Sequence, residues 1–263
     1  MKSTVLITGA SAGFGAACAE LYAANGHDLI LVARRGERLE EVRDSLAHTG
    51  AVIHTQVLDV RDREAVGDFA AALPALLESR GFASATVDIL INNAGLALGL
   101  NPAPHAHVDD WEVMIDTNIK GLLYFTQAIL PLMVARDRGH IVNLGSVAGN
   151  WPYVGGNVYG ATKAFVKQFT NNLRADLLGK NIRVTNIEPG LAESEFSVVR
   201  FKGDRDKADK VYEDTKPLTP ADIAGIIYWV TSLPAHVNIN RLEVMPVCQA
   251  WDSLKVNREM KLS

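Results

Sequence analysis

The sequence predicts an α/β fold, a doubly wound, seven-stranded parallel sheet with helices on both faces, and two observations carry that prediction. Short β-branched or apolar runs alternate with longer helical patterns along all 263 residues, the rhythm of repeated strand-helix-strand units. A glycine-rich stretch, Thr8 to Gly15, stands between the first run and the first helical pattern, where backbone N–H groups and the positive helix end can receive a pyrophosphate. No interior linker, repeat or low-complexity tract breaks the rhythm, so residues 1–263 read as a single domain.

Taken in order, the strands are read at Thr4–Thr8, Asp28–Ala33, Val52–Leu58, Asp88–Ile91, His140–Leu144, Ile182–Glu188 and Leu242–Met245. Helical patterns fill most of the gaps. Gly13–Asn25 is closed by Gly26; Arg35–His48 and Asp62–Leu77 follow, with a kink or break expected at Pro74. Asp109–Arg136 and Val158–Leu178 are the long patterns. Pro220–Ser232 carries proline at its first position after a plausible cap at Thr219. The stretch from Leu191 to Pro217 is charged and weakly periodic; it reads as an irregular insertion, either a functional lid or a solvated loop.

Composition narrows the function. The 26 basic and 30 acidic residues give a net charge of -4 with no long basic block, which argues against a nucleic-acid or anionic-membrane partner and for a small-molecule substrate. Cys18 and Cys248 lie far apart without redox or metal-like neighbours, which implies free thiols and a reducing compartment. The N-terminus lacks the pattern of a signal peptide, and the most apolar stretch, Gly121 to Ala135, is interrupted by Thr126, Gln127 and Pro131 and falls short of a membrane span. A cytoplasmic protein is expected. His105 and His107 are close in sequence but have no third ligand at sensible spacing, so no metal is expected.

Two stretches carry chemistry. The glycines of Gly9-Ala10-Ser11-Ala12-Gly13-Phe14-Gly15 are spaced Gly-x-x-x-Gly-x-Gly, unlike the commoner dinucleotide fingerprint, but in the strand-turn-helix setting that such a site requires. Glycines alone also serve a tight turn. The second strand ends Ala33-Arg34-Arg35, with no acid for a ribose 2′-hydroxyl and two guanidinium groups suited to a 2′-phosphate, which favours NADP over NAD. Tyr159 and Lys163 are four residues apart at the start of a helical pattern and share one face. A phenol is a poor acid or base near neutrality, and a nearby cation favours its phenolate. The spacing by itself also arises by chance in helices.

With these pieces in place the chain resembles the short-chain dehydrogenase/reductase family across essentially its whole length. Five motifs occur in order: Thr8 to Gly15, Asp59-Val60, Asn92-Asn93-Ala94-Gly95, the set Ser146, Tyr159 and Lys163, and Pro189-Gly190. Within the family it looks most like the NADP-dependent 3-hydroxy acid dehydrogenases, through Asn93–Gly99, Gly155–Val166, Val199–Asp204 and Leu233–Asn240. The resemblance implies a Rossmann-type fold, a homotetramer built through long helices, and a catalytic tetrad of Asn118, Ser146, Tyr159 and Lys163, with Asn118 holding a water relay to Lys163. It implies a cofactor shell of Gly9, Ala10, Ser11, Ala12, Gly13 and Phe14, Arg34 and Arg35, Asp59 and Val60 by the adenine, and Asn92. Tyr159 and Lys163 belong to that shell, as does Pro189 to Phe196, with Gly190, Leu191 and Ser194, beside the nicotinamide. The chain departs from the family at Leu191-Ala192-Glu193-Ser194-Glu195, which lacks the usual threonine and is more acidic.

In the implied reaction Tyr159 gives a proton to the oxygen of a carbonyl as hydride arrives, while Ser146, thirteen residues upstream at a strand end, hydrogen-bonds the same oxygen. The substrate is expected to be a small 3-hydroxy acid of the serine, L-allo-threonine or 3-hydroxypropionate type, or its 3-oxo acid or semialdehyde. Arg200, with Lys202 beside it, offers a carboxylate anchor. Asn150, Trp151, Tyr153 and Asn157 flank the catalytic serine and tyrosine and could shape a small polar pocket, with Asn157 a candidate substrate contact. The alternatives are reduction of another small aldehyde or ketone, such as sulfoacetaldehyde, and a non-catalytic NADP-sensing protein.

Overall fold

The computed structural model describes residues 2–251. Seven strands, β1 (Thr4–Thr8), β2 (Asp28–Ala33), β3 (Ile53–Val57), β4 (Ile89–Asn92), β5 (Gly139–Leu144), β6 (Ile182–Pro189) and β7 (Arg241–Val244), form one sheet in the order β3-β2-β1-β4-β5-β6-β7. Every pairing is parallel. The chain runs outward from β1 in one direction, returns at β4 and runs outward in the other. A crevice therefore opens between the carboxyl ends of β1 and β4, where open α/β sheets bind their ligands.

Alternation along the strands divides the core in two. Val5, Ile7, Leu29 and Leu31 face α1 (Gly13–Ala24) and α9 (Pro220–Ser232), where Cys18, Tyr22, Ile223, Ile227 and Val230 meet them. Leu6, Ile30, Val32 and Leu90 face the opposite layer. That layer draws Phe69, Leu73 and Leu77 from α3 (Arg63–Ser79), Phe125, Ile129 and Met133 from α5 (Leu122–Ala135), and Leu173 from α6 (Asn157–Asp176). Each fully buried aliphatic or aromatic side chain contributes ~1.5–3 kcal/mol relative to exposure. Strands buried on both faces read as continuous apolar runs, as β1 and β2 do. The short α2 (Gly36–Ser45) completes the first crossover and gives only Leu39 to the core.

Four expectations change in detail. Pro74 does not break α3: it sits on an exposed position, so Leu73 and Leu77 still reach the core. The pattern read as one helix over Asp109–Arg136 is α4 (Val108–Ile115), a π-helical turn (Asp116–Gly121) and α5. Gly121 in that turn passes so close to Val60 that a Cβ there would lie 2.6 Å from the valine Cγ2. The stretch 191–217 is not wholly irregular. It contains α7 (Glu195–Arg200) and α8 (Arg205–Lys210), each six residues long and too short to register as a periodic pattern. Finally, by length and mean hydropathy (1.2) the run Val108–Ala135 is apolar enough to cross a membrane, which Gly121 to Ala135 alone did not suggest. Its apolar side chains Met114, Phe125, Ile129 and Met133 are instead buried against the rest of the fold, as in a core helix.

The close fit between Gly121 and Val60 gives a test of the packing. Gly121→Ala is expected to lower the unfolding free energy by about 1–3 kcal/mol. In a urea-denaturation cycle, adding Val60→Ala should cost less in that background than in the parent chain. Additive costs would show that the two residues do not press on each other.

Candidate active site

The cleft at the switch point has a volume of about 380 Å³. Its floor is the turn from β1 into α1. Gly9 (φ +67°) and Gly13 (φ +54°) adopt left-handed backbone that side chains rarely take. A Cβ on Gly9 would stand 2.9 Å from the Ala94 Cα, and one on Gly15 would strike the Gly9 carbonyl oxygen. Gly9 and Gly15 are thus fixed by close backbone approach, and Gly13 by its left-handed conformation. No side chain caps the start of α1, and its first turn holds no acid, so its leading N–H groups remain available to an anion. This cradle fits the pyrophosphate of a dinucleotide.

Asn93 holds the cradle in place. Its side-chain amide donates to the carbonyls of Thr8 (2.9 Å) and Gly9 (3.2 Å), while Thr8 Oγ1 accepts from the backbone N–H groups of Asn93 (3.1 Å) and Ala94 (3.0 Å). Asn92, the residue expected to serve the cofactor, lies behind the cleft. Its amide donates to Thr126 Oγ1 and Asn143 Oδ1 in the buried layer, because strand alternation turns neighbouring side chains to opposite faces. Ala10 is likewise buried, its N–H bonded to the Val32 carbonyl.

Beyond β2 the guanidinium of Arg35 donates through Nε (3.3 Å) and Nη2 (3.2 Å) to Ser11 Oγ, and through Nη2 to Glu195 (3.0 Å). Arg34 lines the same end of the cleft and approaches Asp59 at 3.9 Å. Arg61 donates to the Asp59 carboxylate, which is thereby held below the ordinary aspartate range. Val60 lines the cleft beside it.

At the other end, β5 delivers Ser146 and α6 delivers Tyr159 and Lys163. Ser146 Oγ accepts from the Ala148 N–H (3.1 Å), which caps the short turn Val147–Gly149, and reaches the Pro189 carbonyl (3.4 Å). Burial pushes the Tyr159 phenol up to about 12, opposed by the charge of Arg200 and by the nearby Ser146 hydroxyl. Lys163 is buried too. Its ammonium donates to the Leu144 carbonyl (2.7 Å), and burial brings its pKa down to about 8. It stands 5.9 Å from the Tyr159 ring centre. The sequence suggested Lys163 as the cation that favours the phenolate. In the folded chain the opposing charge on Tyr159 comes from Arg200, whose guanidinium stacks 5.2 Å from the Tyr159 ring centre and 5.1 Å from that of Phe196.

Asn118 sits in the π-helical turn, a feature often found at functional sites. Its amide exchanges two hydrogen bonds with the Leu96 backbone, both 2.8 Å, and donates to Thr162 Oγ1 (3.1 Å). It therefore ties the segment after β4 to α6, directly across Gly95 from Lys163.

The segment after β6 forms another wall of the cleft. Pro189, Gly190, Ala192, Ser194, Glu195, Phe196 and Val199 line it. Ser194 caps α7, its Oγ accepting from the Phe196 N–H (3.3 Å). Leu191 is held by a bond from its N–H to Gln249 (2.6 Å). Tyr212 steadies the lid by bonding Ser197 Oγ and the Ala192 carbonyl.

Several pocket candidates turn elsewhere. Asn157 donates to the Asn101 carbonyl (3.2 Å) and does not line the cleft. Asn150 and Trp151 donate to the carboxylates of Glu188 and Glu243, drawn by buried charge behind the serine. Lys202 pairs with Asp110 (2.9 Å). Tyr153 stays close, its hydroxyl accepting from Arg200 (3.3 Å). Asn93, Ala94, Gly95, Leu96, Thr117 and Val199 line the cleft without having been assigned a cofactor or substrate contact, and Glu195, expected beside the nicotinamide with the rest of Pro189–Phe196, pairs instead with Arg35. The Asn93-Ala94-Gly95 motif was the available signal for three of them; Thr117 had none beyond its neighbour Asn118.

Comparison with known proteins agrees with this geometry. An NADP-dependent 3-hydroxy acid dehydrogenase of Salmonella typhi, YdfG, is 57% identical over 255 residues, covering 97% of this chain and 99% of its own. Sulfoacetaldehyde reductase 2 of Chromohalobacter salexigens is 52% identical over 260 residues, covering 98% and 100%. The closed form of a serine dehydrogenase complexed with NADP+ superposes with a TM-score of 0.92 at 55% identity, covering 97% of this chain and 100% of that one. Residues 3–204 match the family model for short chain dehydrogenase, and with that match the chain belongs to the short-chain dehydrogenase family.

Proposed function

We propose that the chain is an NADP-dependent oxidoreductase that interconverts a small 3-hydroxy acid and its 3-oxo acid or semialdehyde. The observation that carries the substrate class is Arg200: its guanidinium stacks on the Tyr159 ring, and its Nε is buried with no hydrogen-bond partner among the described residues. A buried donor without an acceptor is costly, and a substrate carboxylate placed beside Tyr159 would satisfy it. The relatives named for 3-hydroxy acid and serine oxidation support the same class. The relative named for sulfoacetaldehyde keeps a sulfonate in view, because a guanidinium pairs with either anion. A role in sensing NADP without turnover has no support in the site, where Ser146, Tyr159 and Lys163 all line one cleft.

The bound nicotinamide supplies or accepts the hydride. The chain's own residues do the rest. Gly9 to Phe14 receive the pyrophosphate, and Arg34, Arg35 and Ser11 form the 2′-phosphate end. In reduction, Tyr159 donates its proton to the developing alkoxide while the Ser146 hydroxyl holds the same oxygen. In oxidation, the phenol gives up its proton and takes the substrate's. Arg200 lowers the cost of that phenolate through its charge. Lys163, pinned to the Leu144 carbonyl, keeps a cation at the ribose side of the cleft, and Asn118 fixes the segment that walls it. Residues 191–217 act as a lid over both ligands. The unpaired thiols Cys18 and Cys248 suit a cytoplasmic enzyme. A homotetramer through α4, α5 and α6 is the assembly we infer, with Val108, Ile115 and Phe165 exposed on those helices.

Three outcomes test this reading. Tyr159→Phe removes the proton that moves, and kcat should fall by about a hundredfold to ten-thousandfold, the usual contribution of acid-base catalysis; undiminished turnover would end the assignment. Arg200→Ala should raise KM for a 3-hydroxy acid about tenfold to a hundredfold, the worth of a charge-assisted bond, while leaving KM for an uncharged secondary alcohol little changed. Equal effects on both would remove the anchor. For Lys163 the sign follows from its lowered pKa: the ammonium is present below about 8 and lost above it. Reductive kcat/KM should accordingly decline as pH rises through about 8, and Lys163→Arg, which stays charged, should move that decline upward. A decline unmoved by the substitution would assign it to another group.

A further inference from the structure

The acid that an NAD site carries at the end of the second strand is missing here, where Arg34 and Arg35 stand. An acid reaches the same place from another element. Glu195, the first residue of α7, lines the cleft together with Ser11, Arg34 and Arg35, and its carboxylate accepts from Arg35 Nη2 at 3.0 Å. That nitrogen also donates to Ser11 Oγ in the glycine-rich loop. One guanidinium edge is therefore shared by the loop and the lid.

The position of Glu195 is set by more than this pair. The preceding Ser194 packs against the loop, its Cβ 3.5 Å from where a Cβ on Gly13 would stand. Behind it the lid is stitched to Leu218 by a backbone bridge at Ala192, with Glu193 N–H donating to the Leu218 carbonyl (2.8 Å) and Leu218 N–H to that of Leu191 (3.0 Å). Both charged groups are about half exposed, at 50% for Arg35 and 46% for Glu195. An exposed pair of this kind is weak and readily exchanged.

We propose that Glu195 sets cofactor selectivity by opposing the 2′-phosphate and serving the bare ribose, so that the site also takes the unphosphorylated dinucleotide NAD(H). A phosphate dianion must take the Arg35 edge from the carboxylate and then remain beside a like charge. A ribose 2′-hydroxyl meets no such competition. It donates to the carboxylate while Arg35 stays paired. The lid thus supplies the acid that the strand end omits. This inference rests on the cofactor reading given above and concerns the adenosine end alone.

The test is equilibrium binding, followed by fluorescence of NADPH and NADH and by calorimetry with adenosine 2′,5′-bisphosphate and 5′-AMP, at one fixed salt concentration. Glu195→Gln keeps the shape and removes the charge. It should tighten NADPH about fivefold and weaken NADH, raising the ratio of the two Kd values by about tenfold, and the fragment pair should shift in the same sense. Glu64→Gln removes an equal charge from an exposed residue of α3 that does not line the cleft, and should leave the ratio within about twofold. A ratio that rises less than about threefold in Glu195→Gln, or that rises equally in Glu64→Gln, overturns the proposal while leaving the cofactor reading intact. A parent chain that binds neither dinucleotide overturns both.

Discussion

The bond from the Lys163 ammonium to the Leu144 carbonyl is the constraint on which the rest of the site depends. It takes a cation out of water and fastens α6 to the end of β5, one residue before the chain turns toward Ser146. A buried ammonium is costly, and its lowered pKa is the measure of that cost. Because the anchor lies one helical turn beyond Tyr159, it also fixes where the phenol stands relative to the serine. Gly149 allows this arrangement: a Cβ there would collide with the backbone of Lys163 and Ala164, so only glycine lets the post-serine turn lie against α6.

Around that anchor the site divides its electrostatic work. Tyr159 is pushed up by burial and drawn down by Arg200, a residue of the stretch read as irregular rather than of the sheet framework. The phenol and the charge that opposes its burial therefore come from different elements, α6 and α7. Through Arg200 the segment after β6 is held against the Tyr159 ring. At the opposite end Arg35 joins the glycine-rich loop to the same lid through Glu195. Both contacts come from the segment after β6, one to the Tyr159 ring and one to the guanidinium that holds the glycine-rich loop.

Much of this was legible in the sequence because local rules and the global fold agree. The strands from Thr4–Thr8 to β7 were placed within one residue; the inner strands β1, β2 and β4 are buried on both faces and leave clear apolar runs, while the edge strands β3 and β7 are only partly buried. Gly9, Gly13, Tyr159 and Lys163 were legible because each answers a backbone or spacing requirement that a string of letters records. Asn92 and Asn93 could not be told apart in that way: they are adjacent at the end of β4, and which one faces the cleft depends on register against β5. The π-helical turn around Asn118 was hidden because one extra residue in a helix scarcely disturbs the apolar period. The lid helices were hidden by their six-residue length. The stacking of Arg200, the diversion of Asn150 to Glu188 and the pairing of Lys202 with Asp110 are contacts between distant segments, on which spacing is silent.

The most direct test of the central claim is a set of initial rates of nicotinamide turnover by the unaltered enzyme, comparing L-serine, L-allo-threonine, 3-hydroxypropionate, isethionate and a simple secondary alcohol. A cleft lined by an anchored Lys163 and a buried Tyr159, with the Arg200 guanidinium against the phenol ring though not among the lining residues, should turn over the anionic 3-hydroxy acids and leave the uncharged alcohol far behind. Turnover of none of them, or preference for the uncharged alcohol, would contradict the account.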